Sequence, residues 1–175
     1  MTSPQAQAGE RGVAPVAAAA PSCGTGGTDQ TPTPIRLQDQ LCFPLYACSK
    51  EVVRRYAPLL DPLGLTYTQY ICMMVLWEEG EATVSHLGER VLLDSGTLTP
   101  LLRKLEEKGY VTRERGIRDA RQLIVRLTPE GRELERRAAS VPRGMLQCVD
   151  LPIGEAAELK RLLLKVLGQL RQDQH

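Results

Sequence analysis

The segment of residues 83–110, which reads TVSHLGERVLLDSGTLTPLLRKLEEKGY, restricts the possible folds of this chain more than any other feature of its sequence. Thr83 can cap the start of a short helix, and Asp94 or Ser95 can cap a second helix that ends at Gly109. The apolar residues of the two helices recur at helical spacing, at Val84, Leu87, Val91, Leu98, Leu101, Leu102 and Leu105. Two helices joined by a turn of about three residues form a helix-turn-helix.

A β-hairpin is predicted directly after this segment, in residues 110–131 (YVTRERGIRDARQLIVRLTPEG). Val111 and Thr112 begin one extended run, RQLIVRL forms the second, and the charged GIRDA between them forms the tip. Thr128 followed by Pro129 then begins another helix. A hairpin in this position corresponds to the wing of a winged helix. The expected fold class is therefore mainly α with a small β-hairpin wing (α+β).

The rest of the chain divides into a tail and a helical domain. Residues 1–34 have almost no large apolar side chains, so they cannot offset the entropy of ordering and are predicted to be a disordered tail. Cys23 lies in this tail and is expected to have no function. Residues 35–175 are predicted to form a single domain. Its first helix is expected to run to about Tyr56, and a strongly apolar second helix spans residues 67–80.

A final helix is predicted over residues 154–171, after a break in the helical pattern around residues 141–155. Its apolar residues are Leu159, Leu162, Leu163, Val166, Leu167 and Leu170. This stripe is wider than a lone surface helix needs, which indicates packing against a partner chain.

Composition narrows the class of protein and the kinds of site. The chain has a net charge of +1 and lacks an apolar run of about 20 residues, so neither a membrane span nor a strong overall attraction to nucleic acid is expected. Five cysteines without a C-x-x-C pair, together with only two histidines, argue against a metal site. No phosphate-binding loop or catalytic triad is present. A cytoplasmic protein with reduced thiols, no cofactor and no membrane partner is expected.

Basic residues are concentrated on the second helix of the helix-turn-helix and on the hairpin. Residues 103–126 contain eight basic and four acidic side chains, although the whole chain carries only +1. Lys and Arg neutralise DNA phosphates, small hydroxyl residues suit base edges in the major groove, and a wing-tip arginine can enter the minor groove. The predicted DNA-binding residues are Ser95, Gly96, Thr97, Thr99, Arg103, Lys104, Arg113, Arg115, Arg118 and Arg121. The alternative is a solvated surface with ordinary ion pairs along the helix.

Cys42 occupies an unusual position in the stretch DQLCFPLYACSKEV, residues 39–52. A proline is tolerated in the first turn of a helix, so Pro44 indicates that the first helix begins near Gln40 or Leu41. Cys42 then lies in the first turn, where the helix dipole favours a thiolate. Hydroxyl groups that could donate hydrogen bonds to this anion belong to Tyr46, on the same helix face, and to Tyr56 and Tyr67, which flank the following turn.

The other reading of a cysteine on an apolar helix face is a small buried hydrophobe. Cys72, inside YICMMVLW, and Cys48, on the apolar stripe of the first helix, are expected to be structural in this way. For Cys42 the residues alone leave both readings open.

Five stretches together resemble the MarR superfamily, and more narrowly OhrR, its organic-hydroperoxide-sensing repressors: LCFPLYACSKEV, YAPLLDPLGLTYTQY, LLDSGTLTPLLRKLEEKGYVTR, RDAR and LTPEG. The resemblance covers about residues 36–172. It implies a homodimer whose dimerisation helices, about 36–60 and 129–172, interlock. A winged helix-turn-helix at about 66–128 would bind double-stranded operator DNA.

The same resemblance implies roles for individual residues. Cys42 matches the cysteine that peroxide oxidises, and Tyr56 and Tyr67 match tyrosines that support its thiolate from the other subunit. Tyr46 matches a tyrosine of the pocket. Asp119 and Arg121 match a pair that braces the wing.

In one branch of the family a second cysteine, from the partner chain, traps the oxidised thiol as a disulfide. Cys148 is the candidate for this role, and the alternative is that it is a small apolar residue at a helix end. The expected function is therefore a repressor, not an enzyme. It senses organic hydroperoxides through Cys42, releases its operator, and is restored by a low-molecular-weight thiol or another thiol reductant. Two alternatives remain, namely a MarR-type repressor that responds to a small aromatic ligand without thiol chemistry and a thiol peroxidase.

Overall fold

Helices dominate the structure, a computed structural model that describes residues 35–116 and 122–172. Between Leu37 and Gln172 the described part of the chain forms α1 (Cys42–Leu60), α2 (Tyr67–Glu79), β1 (Glu81–Thr83), α3 (Val84–Val91), α4 (Ser95–Glu107), β2 (Val111–Arg115), β3 (Leu123–Leu127), α5 (Pro129–Ala138), α6 (Val141–Val149) and α7 (Ile153–Gln172). Single 3-10 turns, Leu37–Asp39 and Asp61–Leu63, precede and follow α1.

Side-chain caps begin the helices of the winged-helix region. The Thr83 hydroxyl accepts a hydrogen bond from the His86 amide at the start of α3, and the Asp94 carboxylate accepts one from the Thr97 amide at the start of α4. Asp94 is therefore the cap, and Ser95 is the first helical residue. The turn from α3 to α4 is Leu92–Asp94, which confirms the predicted helix-turn-helix.

The wing belongs to a three-stranded antiparallel sheet in the order β1-β3-β2. Strands β2 and β3 pair from Val111 opposite Leu127 to Arg115 opposite Leu123, as the predicted hairpin requires. The prediction of two strands was incomplete, because β1 pairs with the other edge of β3. A strand of three residues is too short to show alternation in a sequence. The predicted tip residues Arg118, Asp119 and Arg121 lie outside the described residues.

One predicted helix end was wrong, and one helix was not predicted. Helix α1 continues past Tyr56 through Pro58 to Leu60, whose side chain is fully buried. Burial of a leucine contributes about 2 kcal/mol, which offsets much of the helix-interior proline's cost of about 3 kcal/mol. The predicted break around residues 141–155 contains α6, because Pro142 occupies the second helical position, where its missing N–H costs nothing.

The hydrophobic core lies between α2, α3, α4, the sheet and α5. Its largest fully buried side chains include Leu60, Met73, Leu76, Leu87, Leu98, Leu102, Leu105 and Leu134. Cys72 is also fully buried, and burial raises the pKa of its thiol to about 12. The prediction that Cys72 is a structural residue agrees with this position.

Helix α7 contrasts with the core elements because none of its residues is buried within the single chain. Its leucines remain exposed, with Leu163 at 41% and Leu164 at 57%. The start of α1 is similarly uncovered. Within the described residues no helix is both long and apolar enough to cross a bilayer.

Candidate redox site and DNA-binding surface

Cys42 is the first residue of α1 and is exposed to solvent. Pro44 is the third residue of the helix, so both lie in the first turn, as the sequence predicts. The residue before the helix, Leu41, supplies no side-chain cap. Within the first turn the Phe43 amide donates a hydrogen bond to the Gln40 carbonyl at 3.3 Å, and Pro44 has no N–H. The exposed position at the start of α1 leaves the Cys42 thiol accessible to reagents from solution.

The predicted supporting tyrosines pack on each other at the opposite end of α1. The Tyr56 and Tyr67 ring centres lie 4.9 Å apart, and Tyr70 continues the cluster at 5.9 Å from Tyr56. Desolvation, followed by the neighbouring Tyr67, raises the pKa of Tyr56, so its phenol stays protonated. A protonated phenol can donate a hydrogen bond to an anion, which is the property that a thiolate-supporting tyrosine needs.

One chain cannot bring Cys42 and this tyrosine pair together. Tyr56 follows Cys42 by 14 residues on the same helix, which corresponds to about 21 Å at 1.5 Å per residue. Tyr46 is the one predicted supporting tyrosine near Cys42 in the same chain, because it lies one turn later on α1. Its side chain is 59% exposed, and the Lys50 ammonium lies 5.2 Å from its ring centre. A site made of Cys42, Tyr56 and Tyr67 therefore requires a second copy of the chain.

Cys148, which is exposed near the end of α6, is also too far from Cys42 of the same chain for direct contact. Helix α6 packs on the far end of α1, where a Cβ on Gly144 would lie only 3.0 Å from the Leu59 side chain. Leu59 is about 25 Å from Cys42 along α1, and Cys148 is about one turn, or 6 Å, from Gly144. These lengths keep Cys42 and Cys148 of one chain at least about 10 Å apart between Cα atoms, whereas a disulfide allows about 7 Å.

An apolar cavity of about 530 Å³ lies between α1 and α7. Its lining includes Pro44, Cys48, Tyr67 and Leu163. Cys48 therefore faces this cavity and is exposed in the single chain, although the sequence indicates a simple core position. Cys42 is not among the residues that line it.

The first turn of α4 presents four small residues to solvent, namely Ser95, Gly96, Thr97 and Thr99. Two of their hydroxyls already donate hydrogen bonds: Thr97 to the Asp94 carboxylate at 2.9 Å and Thr99 to the Ser95 carbonyl at 2.7 Å. The hydrogen bonds from Thr97 lower the pKa of Asp94, so this cap remains ionised. The predicted major-groove residues thus form one exposed surface at the start of α4.

Comparison with known proteins identifies the family. A family model described as transcriptional regulator SarA/Rot matches residues 54–137. The organic hydroperoxide resistance transcriptional regulator of Bacillus subtilis is 41% identical over 138 residues, which cover 79% of this chain and 94% of that protein. The HTH-type transcriptional regulator SarZ of Staphylococcus saprophyticus is 43% identical over 127 residues, which cover 73% of this chain and 87% of the relative.

A solved structure of AbfR from Staphylococcus epidermidis superposes with a TM-score of 0.64 and 36% identity, covering 78% of this chain and 94% of AbfR. AbfR has also been solved in a reduced, DNA-bound form and in a disulfide-formed state. The chain belongs to the MarR superfamily, among its OhrR-type members. It is a DNA-binding transcriptional regulator with a winged-helix fold.

The basic residues of this MarR-type regulator are less free than its sequence indicates. Arg103 pairs with Glu107 at 2.9 Å, and the Arg113 guanidinium donates two hydrogen bonds to Glu106, at 2.6 and 2.8 Å, beside one of 3.1 Å from its backbone amide. The Arg113 side chain is only 21% exposed, and its hydrogen bonds lower the pKa of Glu106. Lys104 and Arg115 are exposed and make no ion pair with the described residues.

The ion pair of Arg103 with Glu107 can be predicted from the sequence, because the two residues are four positions apart on one helix. The Arg113 pair joins α4 to β2, and nothing in the sequence specifies it. Arg126 of β3 is a further basic residue of the regulator's wing, and it joins Glu81 of β1 to Glu114 of β2. The Arg113 pair therefore attaches the wing to α4, and the Arg126 pairs hold the three strands together.

Proposed function

We propose that this regulator is a homodimeric repressor that senses organic hydroperoxides through Cys42 and releases its operator when Cys42 is oxidised. One observation carries the proposal: the Cys42 thiol lies at the start of α1, and the tyrosine pair lies near its other end, about 21 Å away. A sensor built from these groups is complete only when two chains associate. The match to the Bacillus organic hydroperoxide resistance regulator supports the choice of signal.

The exposed leucines of α7 and the uncovered start of α1 support the dimer. Burial of this apolar surface in a dimer is favourable, and a second copy of the chain offers the same apolar surface to cover it. Two chains also carry two α4 helices, which suits an operator with two half-sites about 34 Å apart.

The chemical step at Cys42 follows from the thiolate. Its sulfur attacks the terminal oxygen of the hydroperoxide, so an S–O bond forms while the O–O bond breaks. The alkoxide leaves and takes a proton from water to become an alcohol. The two electrons come from the sulfur, which becomes a sulfenic acid. Tyr56 and Tyr67 of the partner chain hold the thiolate before the attack by donating hydrogen bonds.

In the proposed second step, the thiol of Cys148 from the partner chain attacks the sulfenic sulfur. An S–S bond forms and water leaves, so no further oxidant is required. The AbfR structure in a disulfide-formed state supports this route. A low-molecular-weight thiol restores both cysteines by exchange.

Release of DNA follows from the distances that the disulfide demands. Cys42 and Cys148 must approach to about 7 Å between Cα atoms, which moves α1 and α6 of the two chains relative to each other. The α4 helices then lose the spacing of their half-sites.

A second candidate function rests on the cavity between α1 and α7. A volume of about 530 Å³ with an apolar lining is large enough for a small aromatic ligand. A repressor that responds to such a ligand needs no reactive thiol. It therefore predicts a normal response after replacement of Cys42.

The deciding experiment is a gel shift with the regulator's own upstream promoter DNA, with addition of cumene hydroperoxide and then dithiothreitol. Native protein is expected to release the DNA and rebind it on reduction, with a dimer-sized disulfide band on a non-reducing gel. Cys42→Ser should bind DNA and ignore peroxide, and Cys148→Ser should lose the band. Cys48→Ser is the matched control on the same helix and should behave as the native chain. Release of DNA by peroxide from the Cys42→Ser variant would contradict the proposal.

A further inference from the structure

The turn between α1 and α2 is held by side chains from other parts of the chain. Three consecutive carbonyls of this turn each accept one side-chain hydrogen bond: Pro62 from Arg137 (3.0 Å), Leu63 from Tyr110 (3.3 Å) and Gly64 from Lys108. We call the three donors, Lys108, Tyr110 and Arg137, the carbonyl clamp. Two of them belong to the DNA-reading part, because Lys108 caps the end of α4 and Tyr110 directly precedes β2.

A buried amide strengthens the attachment of Lys108. Its ammonium also donates to Oε1 of Gln69 at 3.1 Å, and Gln69 is only 2% exposed. The same Oε1 accepts from the amide of Thr66, which caps the start of α2. The end of α4 is therefore bound to the first turn of α2 as well as to the turn before it.

The tyrosine pair borders the clamped turn on both sides. Tyr56 lies one helical turn before Leu60, the last residue of α1, and Tyr67 is the first residue of α2. Leu60, Leu63 and Leu65 are buried in the core, so the turn cannot shift without moving its neighbours. A displacement of either tyrosine therefore displaces the carbonyls that Lys108 and Tyr110 hold.

We infer that the carbonyl clamp is the link that transmits the state of the tyrosine pair to α4 and the wing. This inference rests on the proposed function, because it assumes that Cys42 of the partner chain engages Tyr56 and Tyr67. Lys108 and Tyr110 are positioning residues, since neither touches the thiol. The sensor acts on the DNA-reading helix through the turn, and α4 moves because its last residues are bonded to it.

The test compares DNA affinity before and after oxidation. Lys108→Met with Tyr110→Phe removes the hydrogen bonds and keeps most of the packing. The ratio of the oxidised to the reduced dissociation constant is expected to fall by at least about threefold, with a smaller change in the reduced protein. Lys104→Met is the matched control, because it removes a charge from the same helix without a bond to this turn. It should weaken binding equally in both states and leave the ratio unchanged.

A second measurement does not depend on peroxide. Coupling is reciprocal, so operator DNA should slow amide hydrogen exchange at Gly64 and Leu65 of the native chain and have less effect in the double variant. The proposed role of the carbonyl clamp would be overturned if the double variant kept the native ratio of oxidised to reduced dissociation constants. It would also be overturned if DNA had no effect on these amides in the native chain. Failure of the proposed function has a different signature, because the native chain would then show no response to peroxide while the DNA effect on the amides persisted.

Discussion

Gly131 shows how a single hydrogen in place of a side chain positions α5 against the wing. A Cβ at this position would lie 2.1 Å from the Tyr110 carbonyl oxygen, which is a backbone atom that cannot rotate away. The Tyr110 carbonyl also accepts a hydrogen bond from the Thr128 amide, and Gly131 itself accepts one from the Trp77 indole at 2.8 Å. The close approach is therefore fixed from two sides.

Replacement of this glycine should be costly. Gly131→Ala is expected to lower the free energy of unfolding by about 2 kcal/mol, because the added methyl forces α5 away from Tyr110. Chemical denaturation monitored by circular dichroism measures the change. Gly154→Ala is the matched control, since a Cβ there meets no atom within 4 Å, and it should change stability by less than about 0.5 kcal/mol. Equal effects of the two substitutions would contradict this account.

The cysteines should differ sharply in reactivity. Burial raises the pKa of Cys72 to about 12, whereas Cys42, Cys48 and Cys148 are exposed in the single chain. Brief treatment with N-ethylmaleimide near neutral pH should modify Cys42 while Cys72 stays unmodified until the protein is unfolded. Peptide mass spectrometry measures this order. Labelling of Cys72 in folded protein at the rate of Cys42 would show that the core opens at α2.

At the scale of elements, the ion pair between Glu106 and Arg113 joins α4 to β2. Hydrogen bonds from Arg113 lower the pKa of Glu106 from its usual 4.5. A lowered carboxyl pKa contributes stability that is present above the unfolded value and is lost as the pH falls through the folded value. The attachment of the wing should therefore weaken only in acid.

Glu106→Gln tests this dependence. The variant should be less stable than the native chain by up to about 1 kcal/mol between pH 5.5 and pH 8, because the pair is partly exposed. The difference should shrink as the pH falls below about 4.5, because the carboxyl of the unfolded chain then takes up a proton, and it should vanish once the pH has fallen below the lowered pKa of the folded carboxyl. Urea titrations at several pH values measure it. Glu107→Gln, which breaks the more exposed pair with Arg103, should show a smaller difference throughout.

Local chemistry explains which elements could be predicted from the sequence. Thr83, Asp94 and Thr128 cap their helices through contacts three residues away, and such contacts are visible in any window of sequence. Strand β1 depends on pairing with β3, more than 40 residues later, and its three residues carry no periodic signal. Helix α6 was not predicted because Pro142 indicates a break in the helical pattern. In the structure Pro142 lies in the first turn of α6, where a proline is tolerated.

In the candidate site, too, features set by nearby residues could be predicted from the sequence, and features set by distant residues could not. The place of Cys42 in the first turn of α1 could be predicted, because a proline such as Pro44 costs least in the first turn of a helix. The neutralisation of Arg113 by Glu106 could not, because it depends on how the wing lies beside α4. The position of Cys48 on a cavity depends in turn on α7, more than 100 residues later.

At the scale of the whole molecule, the proposed dimer depends on α7. Leu163 is a leucine of this helix that a dimer would cover, and it also lines the cavity beside α1. Leu163→Lys should weaken dimerisation by at least about tenfold, because it places a charge in an apolar contact. Sedimentation equilibrium measures the dissociation constant.

Gln172→Lys is the matched control, because it lies nine residues after Leu163 and so adds the same cation to the opposite side of α7. It should leave the dissociation constant close to that of the native chain. A purely monomeric native chain, or equal weakening by both variants, would contradict the role given to α7.

The length of α1 has a consequence for the cell. Under the proposed function, the oxidisable sulfur and the phenols that prepare it reside on different molecules, so an isolated copy can neither detect an oxidant nor span both halves of an operator. The response to peroxide and the binding of operator DNA are therefore lost at the same low protein concentration, at which the dimer dissociates. A cell that makes too few copies loses both together, and no population of DNA-bound but unresponsive repressor accumulates.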